Sequence, residues 1–297
     1  MKNKFSLSAI ICTKDRFNEV LICVNSILTQ TIQPEEIVII DSSENNTLEI
    51  KLKDLLKDKP IEVNYLNFDA NLTKARNMGI EISKNQIVTF LDDDTVLDKN
   101  YFEEILKVFY KYKDINLGGV SGNIINGNQS LVRDFFNKLF FLFRYSNGTF
   151  RLSGIQTFVA KSVNNVMKVD SLSGANMSFK KDIIKQFGFD ENSPCSEDDD
   201  VAWRISRKFQ NMYTPFALIE HNPPELGGYG KRSERWEKEI VGLHNHFKKN
   251  IPSTFKHRIA FKIALLGLVI NELINVFFMR KGSMTQLIGV IKGINSI

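Results

Sequence analysis

Two acidic clusters in this chain have the residue types and spacing to do chemistry. Asp92-Asp93-Asp94 closes an apolar run, Gln86-Ile87-Val88-Thr89-Phe90-Leu91. Glu197-Asp198-Asp199-Asp200 opens a stretch of helical pattern, Val201–Phe209. Adjacent carboxylates repel one another unless a cation joins them or a proton stays on one of them. At a strand end the simplest cation is a hard divalent ion, which takes carboxylate oxygens. A solvated acidic turn is the competing reading of the triplet. At a helix start, carboxylates sit favourably at the positive end of the dipole. One of them, with its pKa raised by its neighbours, could also act as a general base.

The elements that must position these clusters alternate in type. Leu7–Cys12, Glu36–Ile40, Ile61–Leu66 and Gln86–Leu91 are short apolar runs rich in β-branched residues, which predicts strands. Between them Phe17–Leu28, Thr47–Leu56 and the stripe Leu72, Ala75, Gly79, Ile82 have helical spacing, and Pro60 should end the second helix. A further helix is expected from about Tyr101 to Tyr110, and Gly118–Gly122 suggests a strand with close backbone approach. Repeated strand–helix units predict an α/β fold with a mostly parallel sheet flanked by helices. Ligands of such sheets bind beyond the carboxyl ends of the strands. Thr13-Lys14-Asp15-Arg16, Asp41-Ser42-Ser43, Asn67-Phe68-Asp69 and Asp92-Asp93-Asp94 would then share one rim. An Asp behind every strand favours a metal and anion site over a solvated edge.

The chain has 297 residues, 43% of them hydrophobic, enough for one large domain with an appendage. Cys12, Cys23 and Cys195 show neither metal spacing nor a disulfide framework, which suggests a reducing compartment. The first apolar run is too short and too strand-like for a signal peptide. Val132–Tyr145 is rich in Phe and of helical length, readable as core, acceptor groove or membrane-facing flap. The net charge of +5 is unevenly spread: residues 231–297 carry +8 and the rest −3. A basic, apolar tail suits an anionic membrane surface better than a nucleic acid.

Several ordered blocks resemble the family 2 glycosyltransferases of the GT-A fold, over roughly residues 6–225. Ser8-Ala9-Ile10-Ile11-Cys12-Thr13, Asp15-Arg16 and Ser26-Ile27-Leu28-Thr29-Gln30 resemble the family's first strand and helix. Pro34 to Ser43 is similar to its second strand and nucleotide-binding turn, and Asn71 to Gly79 to its helix start near the donor. Asp92-Asp93-Asp94 then resembles the DXD metal motif. Leu172 to Phe179 and Gly188-Phe189-Asp190-Glu191 resemble the acceptor-side loop, and Glu197 to Arg204 the ED-x-D helix. His221 falls where many relatives carry a histidine after a short strand.

The resemblance implies inverting transfer of a sugar from a nucleotide-diphosphate donor to an acceptor hydroxyl, in cell-surface polysaccharide or glycan biosynthesis. Mn²⁺ or Mg²⁺ would serve the diphosphate, with Asp94 the preferred ligand, His221 a further ligand or diphosphate contact, and Asp92 at the ion or ribose. Asp93 could share either role. Thr13, Asp15, Arg16, Asp41 and Arg76 would hold the donor. Ser42 replaces an acid that many relatives carry there, which weakens any inference about the base. Asp198 is implied as the general base, with Glu197 helping to hold the acceptor. Gly174, Ala175, Asn176 and Trp203 fall on the acceptor side, although Trp203 is also readable as helix core. A nucleotidyltransferase would want a glycine-rich loop after the first strand, which Thr13 to Arg16 lacks. A non-catalytic nucleotide-sugar-binding module would tolerate loss of the acidic motifs, and both are intact.

The chain therefore divides into a catalytic region, residues 1–230, and a helical extension, residues 231–297. In the extension Ser233–Lys249 is charged and Pro252 breaks it. Phe261–Met279 is apolar over about one membrane-spanning length but interrupted by Lys262, Asn271, Glu272 and Asn275. Glu272 in mid-membrane would be costly, so a helix lying in the interface is expected, flanked by Lys256, Arg258, Arg280 and Lys281. Gln286–Ile294 adds a short apolar stretch. A hairpin packed on the catalytic region, or a homodimer contact, is the alternative. A cytoplasmic protein at the inner face of the cell membrane, acting on a glycan or lipid-linked acceptor, is the expectation.

Overall fold

The structure is a computed structural model that describes residues 5–44, 47–57, 59, 61–127, 137–142, 145–224 and 231–297. The first half follows the predicted alternation. β1 (Leu7–Thr13), α1 (Phe17–Leu28), β2 (Glu36–Asp41), α2 (Thr47–Leu56), β3 (Glu62–Asn67), α3 (Leu72–Ile82) and β4 (Ile87–Asp92) succeed one another. Then come β5 (Thr95–Leu97), α4 (Tyr101–Lys111), β6 (Leu117–Ile124), β7 (Tyr145–Ser146), β8 (Phe158–Val159), β9 (Met167–Val169) and β10 (Asn176–Lys180). α5 (Lys181–Phe187), α6 (Glu197–Ser206) and β11 (Gln210–His221) complete the sheet region.

The main sheet has the order β3-β2-β1-β4-β10-β6-β11-β5, with β9 added on β11. β1 to β4 are parallel to one another, as are β6 and β11, and β10 runs antiparallel between β4 and β6. The sheet is thus mostly parallel, as expected. The strands read as continuous apolar runs because both faces are covered. Ala9, Ile11, Ile37 and Ile39 face α1, α2 and α4, whereas Ile10, Val38, Ile40 and Phe90 face α3, α5 and α6. Gly79 lets α3 close on β1, where a Cβ would stand 2.6 Å from the Ile10 side chain.

Two readings change. The stretch Leu172 to Phe179 is a loop only as far as Ala175, since Asn176–Lys180 is the inserted strand β10. Its residues are buried on both faces, and Ser178 shares a hydrogen bond with Thr89 of β4. His221 does not follow a short strand but ends the 12-residue β11, whose bulges hide its strand period. Pro60, residues 132–136 and 143–144 of the Phe-rich stretch, and residue 230 at the expected boundary lie outside the described residues.

Three helices follow: α7 (Arg232–Asn250), α8 (Phe255–Phe277) and α9 (Ser283–Asn295). They pack on the sheet region and on one another through small residues. Gly242 of α7 lies against the Cys195 backbone, Gly267 of α8 against Phe140, and Gly289 and Gly293 of α9 against α7. Phe247, Ile251 and Phe261 form a small core with Trp203 at its edge. α8 is long and apolar enough to cross a membrane, with mean hydropathy 1.8. Its Glu272 and Asn275 are buried against protein, so the packed hairpin describes its inner side. Its outer side leaves Phe255, Ile259, Leu266, Leu273 and Phe277 exposed. Met284, Ile288 and Ile291 of α9 are also exposed, and Lys256, Arg258, Lys262, Arg280 and Lys281 are exposed alongside.

Candidate functional site

Strand register builds the rim. Thr13 is level with Asp41, Asp41 with Asn67, and Cys12 with Asp92. Asp41 is fully buried: the Ser43 N–H and hydroxyl donate to its Oδ1, and the Tyr65 hydroxyl donates to Oδ2 at 2.7 Å. The Asp15 N–H donates to the Ser43 hydroxyl at 2.8 Å, and Asp15 itself sits at φ 55°. Asp15, Arg16, Phe17, Asp41, Ser43 and Leu48 enclose a cavity of about 190 Å³. Three residues expected at the donor therefore meet in one pocket. Ser43, expected on the rim, and Tyr65 set the Asp41 carboxylate; Tyr65 was missed because a tyrosine in a strand carries no signal of its own.

The acidic triplet fans out at the end of β4. Asp93 points inward, where it accepts from the Thr13 hydroxyl at 2.7 Å and pairs with Arg16 at 2.7 Å. Burial and the flanking carboxylates push Asp93 up to about 7 despite those partners. Thr13 and Asp93 thus support the rim from beneath. Arg16 spans to Asp94, also at 2.7 Å. The other Asp94 oxygen, buried, faces His221 Nε2 at 3.1 Å, and Asp92 Oδ2 is 3.5 Å from the same nitrogen. One ligand atom from each of Asp92, Asp94 and His221 lies within 4.8 Å of the others. Burial works against ionising Asp94, but His221 and Arg16 hold its carboxyl below the usual range. Burial lowers the His221 imidazole, yet the two carboxylates outweigh it and hold it above its ordinary value. Two carboxylate oxygens and an imidazole nitrogen converging on one point form a donor set that fits a divalent ion.

Arg76 joins this trio to the second acidic cluster. It is 3% exposed, pairs with Glu197 at 2.6 Å and with Asp92 at 3.2 Å, and donates to the Gly174 carbonyl at 3.3 Å. The sequence expectation put Arg76 at the donor, on its diphosphate or its base. The structure commits its guanidinium to bridging the two carboxylate groups, a planar fork being suited to that task. Replacing it by Leu leaves Glu197 without its cation and Asp92 with His221 alone, and should cost about 3 kcal/mol of stability in chemical denaturation.

Behind Arg76, Asp198 sits in the first turn of α6. Its Oδ2 accepts from the Gly174 N–H and its Oδ1 from the Asp199 N–H, both at 2.9 Å. Burial, then Glu197, pushes its carboxyl up to about 7, with Arg76 and the two N–H groups opposing. A carboxylate near neutrality is what a general base needs. The Gly174 loop sets this residue so closely that a Cβ there would stand 2.9 Å from Asp198 Oδ2. Gly174→Ala should therefore displace the carboxylate and lower turnover about 100-fold, in line with general-base displacement. Steady-state rates at saturating donor would check this.

Other acceptor-side expectations are placed differently. Ala175 is buried, and its carbonyl accepts from the Asp92 N–H at 3.3 Å. Asn176 is fully buried and its Oδ1 accepts from the Gly122 N–H at 2.8 Å, so both residues tie strands together. Trp203 packs edge-on to Phe150 and His246 with Arg207 over its ring, in the core under the tail, because helical periodicity turns it away from Asp198. Trp236 of α7 faces the space beside Asp198 instead. Asp200 pairs with Arg204 at 2.6 Å and Lys249 at 3.0 Å, clamping α6 to the end of α7.

This fold and rim define a GT-A architecture. A mannosyltransferase from Pyrobaculum calidifontis in complex with GDP-mannose and Mn²⁺ is similar at a TM-score of 0.62 and 15% identity. The match covers 99% of this chain and 87% of that one. GalNAc-T7 with UDP, GalNAc and Mn²⁺ is similar at 0.64 and 16% identity, over 92% of this chain and 51% of that one. The sequence profile of glycosyl transferase family 2 matches residues 8–174, more than half the chain, and the chain belongs to that family. Among curated proteins, the poly-beta-1,6-N-acetyl-D-glucosamine synthase of Staphylococcus epidermidis is 27% identical over 256 residues. That of Staphylococcus aureus is 26% identical over 260 residues. The matches cover 85% and 86% of this chain but only 57% and 58% of those proteins, so the chain spans little more than half their length.

Proposed function

We propose that the chain transfers a sugar from a nucleotide-diphosphate donor to a glycan hydroxyl, with inversion, in polysaccharide synthesis. The observation that carries the reading is the convergence of Asp92, Asp94 and His221 beside the Asp15–Asp41 pocket, with Arg76 joining Asp92 to Glu197, the neighbour of Asp198. The pocket suits the nucleoside, and the trio would hold a divalent ion. When bound, such an ion stabilises charge developing on the departing diphosphate. The imidazole beside two carboxylates favours Mn²⁺ over Mg²⁺, which prefers an all-oxygen shell. Asp198 takes the proton from the acceptor hydroxyl as it attacks, and Gly174 and Asp199 N–H groups orient it. A single base with direct displacement accounts for inversion without a covalent sugar intermediate.

The names of the Staphylococcus relatives make a nucleotide-linked N-acetylglucosamine the first donor to test. Thermal unfolding of the purified chain with a panel of nucleotide sugars checks this, since a bound donor raises the melting temperature with its concentration. The cognate donor should stabilise only when Mn²⁺ is present. Stabilisation by none of them, with or without Mn²⁺, would sink the reading.

Residues 231–297 serve this activity as a helical extension at the inner face of the membrane. The exposed apolar side chains of α8 and α9, with Lys256, Arg258, Lys262, Arg280, Lys281 and Lys292 exposed among them, match an anionic lipid surface. Cosedimentation should be strong with vesicles rich in phosphatidylglycerol and weak with phosphatidylcholine alone. Equal, negligible binding to both together with a dimer in sedimentation would assign the stripe to a second copy.

A further inference from the structure

Three of the four carboxylates that open α6 are held from different sides. Glu197 takes Arg76, and Asp198 takes the Gly174 loop. Asp200 follows Asp198 by two positions, about 200° around the helix at 3.6 residues per turn, so it faces away from that loop. Its Oδ2 receives Arg204, and its Oδ1 accepts from Asn250 Nδ2 at 2.8 Å and pairs with Lys249 Nζ at 3.0 Å. Burial works against ionising Asp200, but Arg204, Asn250 and Lys249 hold its carboxyl below the usual range. The grip of α7 on α6 is therefore charged at neutral pH.

Lys249 and Asn250 end α7, and the same face of that helix meets α6 at two earlier points. Gly242 lies against the chain just before α6, where a Cβ would stand 2.6 Å from the Cys195 carbonyl oxygen. His246 is buried; its ring packs edge-on to Trp203 of α6 and its Nδ1 lies 3.1 Å from Asn250 Nδ2. Positions 242, 246 and 249 recur at helical spacing, so one stripe of α7 runs along the entry and first turns of α6. That entry is strained. Ser196, the residue before Glu197, sits at φ 60° and ψ 31°, and its side chain makes no capping hydrogen bond. A residue with a Cβ keeps this left-handed conformation where its surroundings fix it. α7 is backed in turn by Phe261 of α8 and by Gly289 and Gly293 of α9.

We infer that α7 is the brace that sets the Asp198 carboxylate, with Lys249 and Asn250 as positioning residues that act through Asp200. The inference rests on Asp198 being the base of the proposed transfer. The catalytic unit then ends at Asn250 rather than at residue 230, and the part of the extension with the exposed apolar stripe begins after it, at α8. The charged groups around Asp198 are Glu197 and Asp199 on α6 and Arg76 on α3, with Glu239 of α7 and Glu272 of α8 lining the cavity beside it. Lys249 faces Asp200 and Asp190 instead.

Variants of the full chain test the brace. Lys249 is 43% exposed, so Lys249→Met opens no buried cavity. It should lower kcat for transfer about tenfold while Mn²⁺-dependent donor affinity stays unchanged. Lys249→Arg, which keeps the charge and the reach to Asp200, should restore kcat. Lys185→Met, which breaks an exposed ion pair between α5 and α3 instead, should leave it alone. The acid limb of kcat/KM adds a sign. A loosened first turn admits water to a carboxyl that burial holds at about 7, so the midpoint should fall in Lys249→Met. Loss of a distant cation alone would raise it. Amide hydrogen exchange reads the brace without turnover: in Lys249→Met and Asn250→Ala, the Gly174, Asp199 and Asp200 amides should exchange about tenfold faster. Unchanged exchange at these amides in both variants, an unchanged kcat, a loss of donor affinity equal to the loss of kcat, or a rising midpoint would overturn the inference. Absence of turnover in the unmodified chain would instead sink the transferase reading, and the exchange rates would still decide the brace.

Discussion

Asp198→Asn should lower sugar transfer by about a thousandfold while Mn²⁺-dependent donor affinity stays nearly unchanged. The amide keeps the size of the side chain and can still accept from the Gly174 N–H, but it cannot take a proton from the acceptor. The unmodified chain carries a second signature. Burial and Glu197 place the Asp198 carboxyl at about 7. The base works only when deprotonated, so kcat/KM should fall about tenfold per pH unit below that value and level off above it. A profile that is flat from pH 5.5 to 8 would remove Asp198 from the role. A collapse of donor affinity in Asp198→Asn would reassign it to the donor.

The second large effect is expected at the strand end. Asp94→Ala removes one of the three converging ligand atoms and should weaken Mn²⁺-dependent donor binding about 100-fold. Asp93→Ala should behave differently. Its carboxylate is turned away from the trio and holds Thr13 and Arg16, so the loss should register first as lower stability. Calorimetric titration of donor, with Mn²⁺ and with a chelator, distinguishes the two variants. Equal loss of metal dependence in both would mean that the three carboxylates act as one patch.

The contrast between those neighbours shows how far the sequence carries. The first four strands and four helices were legible because short continuous apolar runs and stripes of period 3.6 are properties of local sequence. The shared rim followed from the parallel arrangement, and the register of Thr13, Asp41 and Asn67 bears it out. β10 was not legible: its residues become a strand through pairing with β4 and β6, distant in sequence. The roles within Asp92-Asp93-Asp94 were not legible either, since consecutive carboxylates differ only in what the fold puts beside them. Arg76 was recognised as a site residue, yet its commitment to Glu197 depends on a contact 121 residues away. Trp236 carried no signal in the sequence: it lines the space beside Asp198 only through the way α7 docks on α6.

The docking of the extension also reconciles two readings that sequence left as alternatives. Glu272 and Asn275 face inward and Phe255, Leu266 and Phe277 face outward, so one helix both packs on the catalytic region and presents an apolar surface. Its inner side helps to enclose the cavity beside Asp198. Removing residues 251–297 should therefore impair use of glycan acceptors more than hydrolysis of the donor.

The central claim is that the metal trio and Asp198 act together on a nucleotide sugar, and release of nucleoside diphosphate tests it most directly. The purified chain, given its cognate nucleotide sugar, a glycan acceptor and Mn²⁺, should release diphosphate in step with glycan elongation. Release should stop with chelator and fall by orders of magnitude in Asp198→Asn. Release that continues undiminished under chelation, or in Asp198→Asn, would contradict the account.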